Sequence, residues 1–156
     1  MLIIAVGITL FGCPSTENKQ TVETNVREKI FLYSQGTVEE ITQANKVQLI
    51  VKEITKLLAQ ADDIYLKSVS TSDINSFHED KCVEVLFAQP IKITIEAIKQ
   101  ERSISKILIP LGEAMCTRHA HIIYGDPDYK PFNMLLNSAG CKKLQEIISN
   151  KSLSDQ

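Results

Sequence analysis

Tryptophan is absent from this 156-residue chain, and aromatic residues make up only 6% of it. Stacking platforms for single-stranded nucleic acid and Tyr/Trp-lined carbohydrate grooves are built from such side chains, so both are poorly supported. A surplus of positive charge is missing too. Seventeen Lys and Arg stand against 19 Asp and Glu, for a net charge of −2, and no long basic run occurs. Nucleic-acid binding draws its affinity from a concentrated positive face that displaces counterions, so no nucleic-acid partner is expected. Gly36, Gly112 and Gly125 are isolated and cannot form a phosphate-cradling loop. No G-x-S-x-G elbow is present, and no serine has a placed histidine.

What is present is an ordinary globular composition, 44% apolar and 23% charged. That balance argues against wholesale disorder, and the length suits one domain with a buried core. There is no internal repeat, low-complexity segment or sign of a second domain.

Residues 1–12, MLIIAVGITLFG, carry no charge. A membrane-spanning helix needs about 20 such residues, so this run is too short to cross a bilayer and has the length of a signal-peptide core. It ends at Leu10-Phe11-Gly12-Cys13, which resembles the lipobox of bacterial lipoproteins: an aliphatic residue, two mostly small ones, then cysteine. Leu10, Gly12 and Cys13 match the pattern, and Phe11 is a less typical occupant. The resemblance implies a diacylglyceryl group on the Cys13 sulfur, cleavage just before Cys13, and acylation of the new amine, commonly with palmitate. Pro14 stands where an Asp would favour inner-membrane retention, so the outer membrane, facing the periplasm, is implied in a Gram-negative host. A secretory signal opens on Lys or Arg, whereas Leu2 follows Met1 here. The expectation is that a basic stretch lies upstream of Met1. The competing account is a cytosolic domain with a mis-assigned start, in which Cys13 is a core thiol.

Residues 13–28 are polar and turn-rich, with no apolar periodicity, and read as a flexible linker. Residues 29–150 read as a single domain and residues 151–156 as a frayed tail. Within the domain, Ile30–Tyr33 and Val38–Ile41 suggest a hairpin around Gly36. Thr42 suits a helix N-cap. Ala44, Val47, Ile50, Val51, Ile54, Leu57, Leu58 and Ala61 then recur at helical spacing, with Lys46, Gln48, Lys52, Glu53 and Lys56 mostly on the other side and Leu49 out of place. Further strands are expected at Ile64–Val69, Val83–Phe87, Ile91–Ala97, Ser105–Leu111 and Arg118–Tyr124, with Ser70–Asp80 a polar connection. Asp126-Pro127-Asp128 marks a turn, and Ser138 caps a final helix running through Asn150. Short gaps between strands favour antiparallel neighbours. The fold expected is α+β: a mostly antiparallel sheet of about five strands, one long amphipathic helix on a face, and a short C-terminal helix.

One cluster suggests chemistry. In a strand, residues two apart share a face, so His119 and His121 would present two imidazoles together, near Cys116. The carboxylates Asp126 and Asp128 are also near in sequence and zinc accepts all three ligand types, but the spacing promises no convergent third or fourth ligand, and solvent-facing histidines are the simpler account. The lipobox reading leaves Cys82, Cys116 and Cys141, among which at most one disulfide can form, with all three pairings open. No catalytic residue is marked and no cofactor is called for. The function expected is that of a lipid-anchored cell-envelope protein with a non-catalytic binding, inhibitory or assembly role, whose partners are the membrane, through its anchor, and another envelope protein. The alternative is a metal-dependent or thiol enzyme built on Cys116, His119 and His121.

Overall fold

The computed structural model describes residues 28–67, 69–129 and 133–150. The signal-like run, Cys13, the linker up to residue 27 and the tail from residue 151 lie outside these described residues. Among the described residues, seven strands form one antiparallel sheet: β1 Lys29–Ser34, β2 Thr37–Glu40, β3 Asp63–Ile64, β4 Lys81–Ile95, β5 Gln100–Pro110, β6 Ala120–Gly125 and β7 Asn133–Asn137. Their order across the sheet is β2-β1-β4-β5-β6-β7-β3. Four helices accompany them: α1 Ala44–Ala59, α2 Thr71–Glu79, the single-turn α3 Glu113–Cys116, and α4 Lys142–Ser149.

The α+β class with an antiparallel sheet is therefore present, with seven strands rather than about five and two helices beyond those expected. The strand at Ile64–Val69 shrinks to the two residues of β3. The polar connection Ser70–Asp80 is helical: the Ser70 side chain accepts from the Asp73 amide, and Asp73 reaches back to the Ser70 amide, a reciprocal cap that satisfies two orphan donors. β4 runs unbroken through Gln89-Pro90, where the sequence reading stops one strand and begins another. The pairing of β4 with β5 slips between Leu86 and Ile91, so Pro90 lies in a bulge, where its missing N–H interrupts no ladder. β7 is not among the strands expected from the sequence.

The centre of the sheet is buried on both faces, while β2 and β3 at its margins are exposed. Toward one face point Ile30, Val83, Val85, Ile107, Ile109, Ile122 and Leu135, packed against Ile50, Ile54, Leu57 and Leu58 of α1 and Leu144 and Ile148 of α4. Leu49, the residue outside the helical stripe, is 40% exposed. Glu53, placed by the periodicity on the wet side, is buried and pairs with Lys143 of α4 at 3.1 Å. Beyond the bulge, the β4–β5 hairpin pairs only with itself among the described strands, and it brings Ile95 and Ile104, both fully buried, onto this same core. Asn137 of β7 donates from Nδ2 to the Leu57 and Gln60 carbonyls at 2.9 and 3.0 Å, satisfying acceptors at the C-terminal end of α1.

The opposite face holds a smaller core of Val69, Ile74, Cys82, Leu108, Ile123, Tyr129 and Met134, covered by α2. The alternation that sends Val83 and Val85 to one side sends Cys82 and Glu84 to the other. No described helix is long and apolar enough to cross a membrane.

At the N-terminal ends, the cap positions differ from those expected. Gln43 rather than Thr42 precedes α1, and Cys141 precedes α4. Ser138 instead bonds the Asp62 carboxylate through both its amide and its hydroxyl. Just after it, Gly140 sits at φ +66°, and a Cβ there would fall 2.7 Å from the Cys116 carbonyl oxygen. Both the left-handed backbone and the backbone collision oppose any side chain. Gly140→Ala is expected to destabilise the fold by about 2 kcal/mol, read as a lower midpoint in urea at unchanged slope.

Candidate functional site

The second face is organised around one buried carboxylate. Glu84 sits in mid-β4, its side chain 3% exposed, and four side chains from four elements converge on it. Oε1 accepts from the Tyr129 hydroxyl at 2.6 Å, from Lys106 Nζ at 3.0 Å and from His78 Nε2 at 3.2 Å. Oε2 accepts from the Tyr33 hydroxyl at 3.1 Å. Lys106 comes from β5, next to β4, and Tyr33 from β1 on the other side, so both reach Glu84 diagonally across the sheet. His78 descends from α2 and stacks on the Tyr33 ring, with centroids 4.1 Å apart. Tyr129 comes from the loop after β6, where its φ of +60° turns the ring inward to lie under Lys106 Nζ at 4.7 Å.

Burial alone would raise the Glu84 pKa. Hydrogen bonds from His78 and Tyr129, together with the Lys106 charge, outweigh it and hold the carboxyl at about 2. Burial, reinforced by the Glu84 charge, pushes the Tyr33 hydroxyl up to about 12, and the same two influences raise Tyr129. Cys82, buried beside them, is pushed up to about 12 by burial and by the charges of Glu84 and Asp80. A general acid or base needs a pKa near its working pH and a path to substrate, and a nucleophilic thiol needs thiolate. Glu84 and Cys82 have neither property. The cluster ties α2, β1, β4, β5 and the β6–β7 loop together, and no buried side-chain nitrogen or oxygen among the described residues lacks a partner.

Beside this network the same face opens into a cleft of about 230 Å³, lined by Tyr65, Lys67, Val69, Asp73, Phe77, Met115 and Met134. Drug-sized ligands occupy pockets of roughly 300–1,000 Å³, so this one suits a single side chain or a comparably small group. Aromatic and thioether side chains share its wall with Lys67 and Asp73, which bring one charge of each sign to it. Hydrogen bonds from Ser70, the capping contacts of α2, hold the Asp73 carboxyl below the usual range. His121 supports the other side: its Nδ1–H donates to the Met115 carbonyl at 3.0 Å, and its ring meets Tyr65 edge to face at 5.9 Å.

The candidate residues of the sequence reading are not brought together as ligands. Cys116 is joined to Cys141 by a disulfide, so its sulfur is committed. His119 is exposed just ahead of β6, while His121 is half-buried in the contacts above. No group of three His, Cys, Asp or Glu side chains able to hold a metal occurs among the described residues. The sequence reading missed Glu84 and its four donors. The available signal was a single charge inside the apolar run Cys82–Phe87.

No family model matches the chain, and no curated protein or solved structure matches it.

Proposed function

We propose that this chain is a lipid-anchored cell-envelope protein that binds a partner protein without catalysis, through the cleft on the sheet face opposite α1. The observation that carries the binding role is the cleft itself. Tyr65, Phe77, Met115 and Met134 line it together with the charged Lys67 and Asp73; it is open to solvent, sized for one side chain, and walled by α2, which the Glu84 network holds in place. Beside it Leu66 is 94% exposed and Ile64 44% exposed, so apolar surface continues beyond the rim. A lone Tyr, Leu or Met side chain of the partner fits such a slot, with Lys67 and Asp73 offering polar contacts to the backbone that carries it.

Two observations support the address. Leu10-Phe11-Gly12-Cys13 supplies the lipidation pattern, with Cys13 as the acceptor. The Cys116–Cys141 disulfide suits an oxidising compartment such as the periplasm or cell surface. Multiple acyl chains make a stable anchor where one is marginal, and the polar residues after Cys13 give the domain reach from the bilayer.

The test is intact mass and fractionation of the native protein beside a Cys13→Ser variant. The expected wild-type product is membrane-bound, begins at residue 13 and carries acyl mass, while the variant is uncleaved and lacks that mass. An unprocessed, soluble wild-type product overturns the anchor and returns the chain to the cytosol.

A further inference from the structure

We propose that the outer edge of β3 pairs with the same edge of a second copy of this chain, making a two-fold symmetric dimer. β3 is the last strand of the sheet and pairs only with β7 among the described strands. The chain there reads Asp63-Ile64-Tyr65-Leu66-Lys67. An interface around a two-fold axis must be self-complementary, because each residue meets its counterpart in reversed order. This segment has that property about Tyr65: acid, aliphatic, aromatic, aliphatic, base. Antiparallel self-pairing places Asp63 opposite the second copy's Lys67 twice over, and Ile64 opposite its Leu66.

The backbone agrees with this register. The Tyr65 amide donates inward, to the Met134 carbonyl at 3.1 Å. Ile64, the residue before it and the last of β3, turns its amide outward, toward the open edge. The Ile64 amide is bonded to its own Asp63 carboxylate at 2.8 Å rather than to a neighbouring strand. In the proposed register Ile64 and Leu66 form the hydrogen-bonded pairs. Tyr65–Tyr65 and Asp63–Lys67 then fall at non-hydrogen-bonded positions, where side chains approach more closely. The tip of the β4–β5 hairpin packs near β3, yet leaves Ile64 at 44% and Leu66 at 94% exposed. Among the described residues, neither Asp63 nor Lys67 forms an ion pair within one copy. Exposed aliphatics on an open sheet edge invite strand pairing. Tyr65 and Lys67 also line the cleft, so the seam runs along its rim. β3 itself spans two residues, and Tyr65, Leu66 and Lys67 follow it outside regular strand, to be drawn into the ladder on pairing; the seam is short and the association weak and concentration-dependent.

Charge exchange tests it. The full chain is measured by sedimentation equilibrium in density-matched detergent, as wild type, Asp63→Lys, Lys67→Asp and the double variant. All the altered side chains are exposed, and circular dichroism of each variant checks the fold. The wild type is expected to reach the mass of two chains at high concentration. Each single variant, with like charges opposed twice, is expected to weaken dimerisation by about tenfold, and the double variant to restore it. A wild type of single-chain mass throughout overturns the proposal. So does a dimer indifferent to both single changes, or one that the double variant fails to rescue.

Discussion

Glu84→Gln is expected to destabilise the fold by about 3 kcal/mol, the largest effect of any single polar change on the second face. The substitution preserves shape and removes the charge that Lys106, 16% exposed, faces at 3.0 Å. Removing one member of a buried ion pair leaves the other uncompensated, which typically costs more than the intact pair contributes. Here two tyrosine hydroxyls and an imidazole nitrogen also depend on the same carboxylate. A double variant, Glu84→Leu with Lys106→Met, separates these contributions. It is expected to be less destabilised than the sum of its single changes, since no charge remains buried. It does not return to wild type, because the Tyr129 hydroxyl, on a residue 3% exposed, then has no acceptor. A loss below about 0.5 kcal/mol for Glu84→Gln, within the range of ordinary surface changes, would mean that α2 is held by Ile74 and Phe77 alone.

The same network sets the pH limits of stability. The Glu84 carboxyl titrates at about 2 in the fold against 4.5 for an unperturbed group. A depressed carboxyl contributes its full stabilisation above the unfolded value and loses it as pH falls through the folded one. Its share is therefore intact above about pH 4.5 and disappears toward pH 2. On the alkaline side the signs reverse. Tyr33 and Cys82 are held neutral up to about 12, while the unfolded chain ionises near 10 and 9, so stability declines above pH 9. A broad plateau between these limits is the outcome for thermal melts, and Glu84→Gln removes this carboxyl's part of the acid limb.

How far these features can be read from the sequence depends on where their causes lie. α1 is legible because its stripe repeats at the helical period over four turns, and the one misfit, Leu49, is exposed in the structure. α2 buries only Ile74 fully, so periodicity has nothing to register; its signal is the Ser70–Asp73 cap, a local feature easily read as a loop. Pro90 breaks a strand by local rules, yet the two halves of β4 are held in one hairpin by β5, and the bulge absorbs the missing donor. Glu84 was hidden by a correct alternation: its face is polar by pattern but becomes dry because α2 and Tyr129, 45 residues away, close over it. Glu53 follows the same logic, buried where α4, a helix far along the chain, packs on α1 and brings Lys143 to it. In each case a long-range partner reverses the environment that the local pattern describes.

The Cys116–Cys141 bond carries the second large effect. It joins the end of α3 to the residue before α4, with Cα atoms 5.1 Å apart and 25 residues of sequence separation enclosing β6 and β7. Cross-linking a loop of that length restricts the unfolded ensemble, and the loop-closure estimate is about 3 kcal/mol. The Cys116→Ala/Cys141→Ala variant is expected to lose about that much in urea, with a steeper slope because its unfolded state exposes more surface. Alanine is the informative replacement, since both positions are almost fully buried and serine would add hydroxyls without assured partners. Reduction with dithiothreitol is expected to reproduce the loss in the wild type and to leave the variant unchanged. Cys82 is a built-in control: buried, with its thiol held neutral, it stays unlabelled by alkylating reagents until the fold opens. Alkylation of the native protein directly on extraction then ties stability to address. Cys116 and Cys141 protected as a pair, with Cys82 labelled only after unfolding, fits maturation in an oxidising envelope. Both recovered as thiols would mean that the fold lives without the bond, in a reducing compartment, with about 3 kcal/mol less stability.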